Sequence, residues 1–187
     1  KIRIGVVHNA WQKELQVREY SLPEVGMEFA QLNAPVRSSK AFEITNTGNW
    51  SAKSYIPMGY VRNTETGSRL FWQIEHNGSW HWEVSDFTNH LYVQLSGPTE
   101  QQSHWFKDLK PGDKFVTVPA GVGAVTGDLG NMAKELTKYR RAIRRENQDN
   151  EKLGVIFNDY MNCLWADPTT EKEFPLIDAA AKAGCEY

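Results

Sequence analysis

The chain has few cysteines, no long apolar run and no marked excess of charge of either sign. Cys163 and Cys185 are its two cysteines, too few and too far apart for a disulfide framework or a structural zinc site. No stretch approaches the roughly 20 apolar residues of a membrane helix. With 21 basic and 23 acidic residues the net charge is −2, so no basic field points to nucleic acid or an anionic membrane surface. Aromatic residues, in contrast, are plentiful: 7 Trp, 7 Tyr and 8 Phe in 187 residues. Broad side chains of that kind suit the pleated faces of β-sheets. Two sequons, Asn49-Trp50-Ser51 and Asn77-Gly78-Ser79, read as chance in a chain this rich in Asn and Ser. No signal peptide is read at Lys1, and the expected localisation is cytoplasmic.

Residues 1–127 read as β. Strands are expected at Ile2–His8, Gln16–Tyr20, Ser54–Arg62, Arg69–Glu75, Ser79–Val84, Leu91–Leu95 and Phe115–Pro119. Turns are expected at Asn63–Gly67 and at Lys110-Pro111-Gly112-Asp113, where Pro and Gly suit a type II turn. Asn77-Gly78 is the strongest hairpin signal. A three-residue loop with a bulge there sets Ile74 opposite Trp82 and Trp72 opposite Val84, leaving one apolar and one polar face. The pattern implies an antiparallel sandwich or barrel.

At Asp128 the period changes. Leu129, Met132, Leu136, Tyr139 and Ile143 recur as one face of a helix that Asp128 can cap. Its other faces carry Lys134, Lys138, Arg140, Arg141, Arg144 and Arg145, which read as a solvated face rather than a nucleic-acid stripe. Glu146–Lys152 reads as a linker. Val155-Ile156-Phe157 then reads as a strand buried on both faces. Thr170 with Glu173 suggests a capping box for a final helix that contains Pro175 and ends at Gly184. A strand followed by a helix needs a parallel neighbour, expected to begin near Cys185, so a second α/β domain is expected to continue past Tyr187. The organisation is thus 1–127 β-domain, 128–152 helix and linker, 153–187 start of an α/β domain.

Three stretches carry a family likeness. Residues 155–187, VIFNDYMNCLWADPTTEKEFPLIDAAAKAGCEY, resemble the first strand and helix of the catalytic barrel in α-galactosidases of glycoside hydrolase family 36, the melibiases. Residues 71–82, FWQIEHNGSWHW, and 95–105, LSGPTEQQSHW, resemble the sandwich domain that precedes that barrel. The helix at 129–145 and the run Gln148-Asp149-Asn150-Glu151 fit the same layout. The resemblance implies a mainly β chain: an antiparallel β-supersandwich, a linker helix and the first βα unit of a truncated (β/α)8 barrel. It implies a retaining α-galactosidase that hydrolyses terminal α-linked galactose in oligosaccharides such as melibiose and raffinose. Retention needs two carboxyl groups about 5–5.5 Å apart. In the family both are Asp on later barrel strands, and no residue here matches them, so no catalytic residue is assigned and the chain alone is expected to be inactive. No cofactor and no metal are implied. The partners implied are α-galactoside oligosaccharides, not nucleic acid or membrane; the parent is expected as a homo-oligomer, and exposed half-barrel surface favours association or aggregation of the isolated chain.

The barrel likeness places substrate-binding candidates at the C-terminal end of its first strand: Asn158, Asp159, Tyr160 and Asn162. Asp159 can accept two sugar hydroxyls, or cap a turn. Tyr160 can wall a sugar subsite, or pack under the rim. The family often has an Asn-Asn-Trp-Glu-like run there, and here Tyr160 replaces the Trp and Met161 the acid. Cys163 reads as a buried, inert thiol. Trp72, Trp80, Trp82 and Trp105 are either a carbohydrate platform or core, and core is the simpler reading for most. The alternative function is a non-catalytic carbohydrate-binding β-sandwich module. His76, His81 and His104 lie among these aromatics, but spacing alone shows no metal site.

Overall fold

The computed structural model describes residues 1–27, 40–87 and 90–187. The chain divides into two compact units, 1–140 and 141–187. The first is mainly β, with eight strands in two antiparallel sheets among the described residues. β1 (Ile2–His8), β2 (Gln16–Ser21), β4 (Tyr55–Asn63), β5 (Ser68–Ile74) and β8 (Ala120–Thr126) form one sheet in the order β2-β1-β4-β5-β8. β3 (Phe42–Asn46), β6 (Trp80–Phe87) and β7 (His90–Ser96) form the other in the order β3-β6-β7.

The sheets share one core. Ile4, Val6, Trp72 and Ile74 from the larger sheet meet Ile44, Trp80, Trp82 and Val84 from the smaller. Trp72, Trp80 and Trp82 are each at most 1% exposed, so these three indoles are core and not platform. Trp72 and Trp82 meet edge to face, with ring centroids 5.2 Å apart.

That contact overturns the expected hairpin. β5 and β6 lie in different sheets, so Trp72 is opposite Gly59 and Val122, not Val84. Trp82 is opposite Ile44 and Leu95, and Ile74 is opposite Ala120. Neither Asn77 nor Gly78 has the positive φ that a tight hairpin turn demands. The segment crosses between layers instead. The same alternation that suggested one shared apolar face sends both apolar faces into one core.

One other strand expectation within residues 1–127 shifts, and two strands form that the sequence reading does not predict. The strand expected at Phe115–Pro119 is not formed, and β8 begins at Ala120. Pro119 lacks an N–H for a ladder, though its carbonyl accepts from Glu75 N–H at 2.9 Å. β8 itself, AGVGAVT, has little strand propensity, and its glycines are there for space. A Cβ at Gly123 would lie 2.4 Å from the Phe71 ring directly opposite, and one at Gly121 would lie 2.6 Å from Tyr139. β3 went unread because its alternation is only five residues long. The other β-strand expectations within residues 1–127 and the turns at 63–67 and 110–113 are present, the latter with Gly112 at φ 93° and an Asp113 N–H to Lys110 O bond of 2.9 Å, whereas no strand is formed at Val155–Phe157.

The helix α2 (Leu129–Ile143) covers the outer face of the larger sheet. Asp128 Oδ1 accepts the Asn131 N–H at 2.9 Å, the expected cap. Met132 and Leu136 bury against Val7, Met58, Tyr60 and Phe71. At the far end, Tyr139 donates to Glu75 (2.5 Å) and Arg140 to Gln73 (2.8 Å), so the polar side of β5 is paired by the helix. Lys134, Arg141, Arg144 and Arg145 are exposed, as a solvated face should be.

One polar cluster holds the outer face. Glu19 accepts from the Tyr60 hydroxyl (2.8 Å) and from Arg62 Nη2 (2.5 Å). Burial pushes the Glu19 carboxyl up, but the bonds from Arg62 and Tyr60 and the charges of Arg62 and Arg69 outweigh it and hold the carboxyl below its ordinary value of 4.5. The folded state therefore binds this proton more weakly than the unfolded chain. The stabilisation is present above pH 4.5 and is lost as pH falls through the lower folded value. Glu19→Gln is expected to cost about 1.5–3 kcal/mol at neutral pH. It is also expected to flatten the loss of stability in acid, as read from urea midpoints across the acidic range.

The second unit contains α3 (Gln148–Lys152), a π-helical turn at Tyr160–Leu164 and α4 (Thr170–Lys182). The linker stretch thus holds a short helix. Thr169, not Thr170, is the N-cap of α4, and its side chain makes no cap bond. Glu173 is consequently not part of a capping box. Pro175 sits within α4. Gly184, at φ 88°, ends it in a Schellman motif, with Cys185 N–H on Ala180 O (3.0 Å) and Gly184 N–H on Ala181 O (3.1 Å).

Candidate functional site

The apolar run Val155–Phe157 leads into the candidate residues. Tyr187 N–H donates to Val155 O (3.3 Å), and Phe157 N–H donates to Tyr187 O (2.8 Å). Val155 O also accepts the Glu186 N–H at 2.8 Å, so the contact is a single parallel-type bridge about Ile156, and no strand is formed on either side of it. The run is nevertheless exposed, with Ile156 at 72%, and is not covered on both faces within these residues.

At the C-terminal end of the run the backbone turns sharply. Asn158 Oδ1 accepts the Tyr160 N–H at 3.0 Å, so its side chain oxygen sets the turn. Leu164 N–H reaches Asp159 O (3.0 Å) and Trp165 N–H reaches Tyr160 O (2.8 Å), both five residues back. Single π-turns of this kind recur at functional sites. Trp165 and Ala166 follow with φ of 48° and 62°, a conformation that non-glycine residues seldom adopt. The turn leaves the Tyr160 ring 54% exposed and Met161 beside it in sequence, also exposed. The side chain of Asn162 lies outside the described residues.

Asp159 faces an acid. It hydrogen-bonds Glu173 in the first turn of α4, which raises the Glu173 carboxyl above its ordinary value, with burial and the Asp159 charge adding to the rise. Cys163 is exposed, which corrects the expectation of a buried thiol: it lies in a π-turn of a unit with no buried side chain among the described residues.

The first unit holds a different kind of site. Trp105 and Phe115 come together, ring centroids 5.6 Å apart, in a cleft of about 660 Å³. The short helix α1 (Glu100–Ser103) aims Trp105. Thr99 caps the helix by accepting the Gln102 N–H (3.1 Å), His104 ends it at φ 51°, and Trp105 N–H returns to Thr99 O (3.1 Å). Lys107 Nζ lies 5.6 Å from the Phe115 ring centroid. Gly97 admits Val118, whose Cγ2 would sit 2.4 Å from a Cβ there. Polar groups of His76, Ser96, Ser103 and Thr117 also line the cleft. Trp105 is 39% exposed, unlike the three core indoles. An apolar, aromatic floor with a few polar side chains is the usual make-up of a small-ligand cleft. Phe115 was read as strand and so was missed; its only signal is an aromatic in a loop beside Pro and Gly.

The histidines do not converge. His81 is buried, its Nδ1 2.8 Å from Thr45 Oγ1 and its Nε2 3.4 Å from Glu83 Oε2, while His76 lines the cleft and His104 ends α1. Among the described residues no three His, Cys, Asp or Glu side chains are grouped to hold a metal. No helix among them is long and apolar enough to cross a membrane. No family model, curated protein or solved structure matches this chain.

Proposed function

We propose that these residues belong to a retaining glycosidase acting on terminal α-linked galactose. In this reading the two sheets form its β-supersandwich, and Val155–Phe157 with α4 is the first βα unit of its (β/α)8 barrel. The observation that carries the reading is the parallel hydrogen bonding of Tyr187 to Val155 and Phe157. With α4 between the two segments, this is the connection a parallel barrel repeats, and it sets Asn158–Asn162 at the C-terminal strand end where barrel sites form. The exposed Val155, Ile156 and Phe157 are the apolar faces such a strand would bury against further strands and helices.

Tyr160 then walls the sugar subsite and Asp159 accepts sugar hydroxyls. Asp159 and Glu173 are not the catalytic pair. Both belong to the first βα unit and face each other rather than a scissile bond, whereas the family's pair lies on later barrel strands. The reading assigns the nucleophile and the acid/base to later strands. The 187-residue chain is therefore expected to leave nitrophenyl α-galactoside intact, and clear turnover by it contradicts the assignment.

The aromatic cleft favours a second reading, a saccharide-binding module without catalysis. Trp105 and Phe115 offer ring faces to a sugar, and Ser96, Ser103 and Thr117 can bond its hydroxyls. It predicts saturable raffinose binding by tryptophan fluorescence, lost in Trp105→Ala. Trp80→Ala and Trp82→Ala cannot serve as that test, because both indoles are core.

A further inference from the structure

We propose that the outer face of the larger sheet carries an anion site, formed by Arg62 and Arg69 and fitted to a phosphate-class oxyanion. Arg3, Arg62 and Arg69 stand directly opposite one another on β1, β4 and β5, in one row of the sheet. Like charges so placed repel and are ordinarily avoided. Two of them have carboxylates: Arg3 Nη1 donates to Glu24 (3.1 Å) and Arg62 Nη2 to Glu19 (2.5 Å). The other oxygen of Glu19 is taken by the Tyr60 hydroxyl. Asp128, which follows β8, is engaged in capping α2.

Arg69 is the cation left over. It is 6% exposed, and its Nε and Nη1 have no hydrogen-bond partner among the described residues. Arg62 Nε is buried and unpartnered as well. The Arg69 guanidinium lies 5.9 Å from the centroid of the Tyr60 ring, a contact that offsets only part of the cost of burying a charge. A guanidinium does not shed its proton, so the charge persists at any physiological pH. Three buried donors with no acceptor, beside a charge offset only by Glu19, whose oxygens are already bonded to Arg62 and Tyr60, call for a group that is both acceptor and anion. Water meets the first demand and not the second. A tetrahedral oxyanion meets both. Arg3 and Arg62, though not Arg69, line a cleft of about 790 Å³ with Ser21 and Thr64, so the anion would enter the row beside Arg62.

The test is the melting temperature of the 187-residue chain in rising sodium phosphate, against sodium chloride of equal ionic strength. A saturable rise of about 4 °C at tenfold excess over the dissociation constant is expected. Glucose 6-phosphate forms a second arm: whichever of ester and free phosphate binds more tightly names the source, and binding of neither overturns the site. Arg69→Met removes the buried charge, so it is expected to melt no lower than the parent in chloride and to lose the phosphate response. An equal response in Arg69→Met overturns the proposal, since the effect is then one of salt alone. Phosphorus-31 line broadening on the unaltered chain, reversed by sulfate, is expected independently of how that variant folds, and its absence overturns the site.

Discussion

Trp82→Ala is expected to lower the unfolding free energy by about 3–5 kcal/mol, the range for truncating a buried aromatic. Domains of this kind have about 5–15 kcal/mol in all, so the variant is expected to be partly unfolded at physiological temperature. The size of the effect follows from position. Trp82 is fully buried on β6, the central strand of the smaller sheet, and packs edge to face on Trp72 across the core and on Phe42 beside it. Its truncation removes the contact that joins the two sheets. The indole N–H of Trp82 is buried without a partner among the described residues, whereas that of Trp80 donates to Ser51 O at 2.7 Å. Trp82→Phe therefore keeps most of the packing and discards an unsatisfied donor, with an expected cost of about 1–2 kcal/mol. Urea unfolding of the two variants separates packing from polarity. A loss below about 1 kcal/mol for Trp82→Ala is inconsistent with the shared core.

Gly5→Ala is the second large effect, expected to cost about 1–3 kcal/mol through overpacking. A Cβ at Gly5 would lie 2.1 Å from Tyr60 Cε1 and 2.2 Å from Cζ. Tyr60 is the residue directly opposite on β4, and its ring lies across the glycine. The ring cannot swing aside freely, because its hydroxyl is bonded to Glu19 and Arg69 lies over its face. The same device recurs on this sheet, where Gly59 is opposite Trp72 and Gly123 is opposite Phe71. In each pair the glycine gives the aromatic its place. A cycle with Tyr60→Leu measures the coupling: the Gly5→Ala penalty is expected to shrink once the ring is gone, and equal penalties in both backgrounds contradict the packing account.

These pairs also explain what could be read from the residues alone. Strands such as β1, β4 and β5 show as short apolar and aromatic runs between turn signals, although α2 buries part of their second face, and α2 shows in its spacing of Leu129 to Ile143, because its single buried face leaves a periodic trace. β8 leaves none, since Gly121 and Gly123 serve neighbours that are distant in sequence. Asn77-Gly78 misled for a related reason. A local turn signal says that the chain bends, but which strands pair is settled by long-range packing, here of Trp72 on Trp82. At 158–162 no local pattern foretells what the structure shows: Asn158 is spent on its own turn and Asp159 meets Glu173. The cleft of Trp105 and Phe115 and the arginine row depend on positions far apart in the chain, and neither leaves a local pattern.

The account rests most heavily on the reading of a retaining α-galactosidase. The most direct test is proton NMR of nitrophenyl α-galactoside during hydrolysis by the natural gene product that contains these 187 residues. The account predicts that α-galactose appears first and equilibrates to β only by mutarotation. First appearance of β-galactose, or no release of galactose at all, would contradict it.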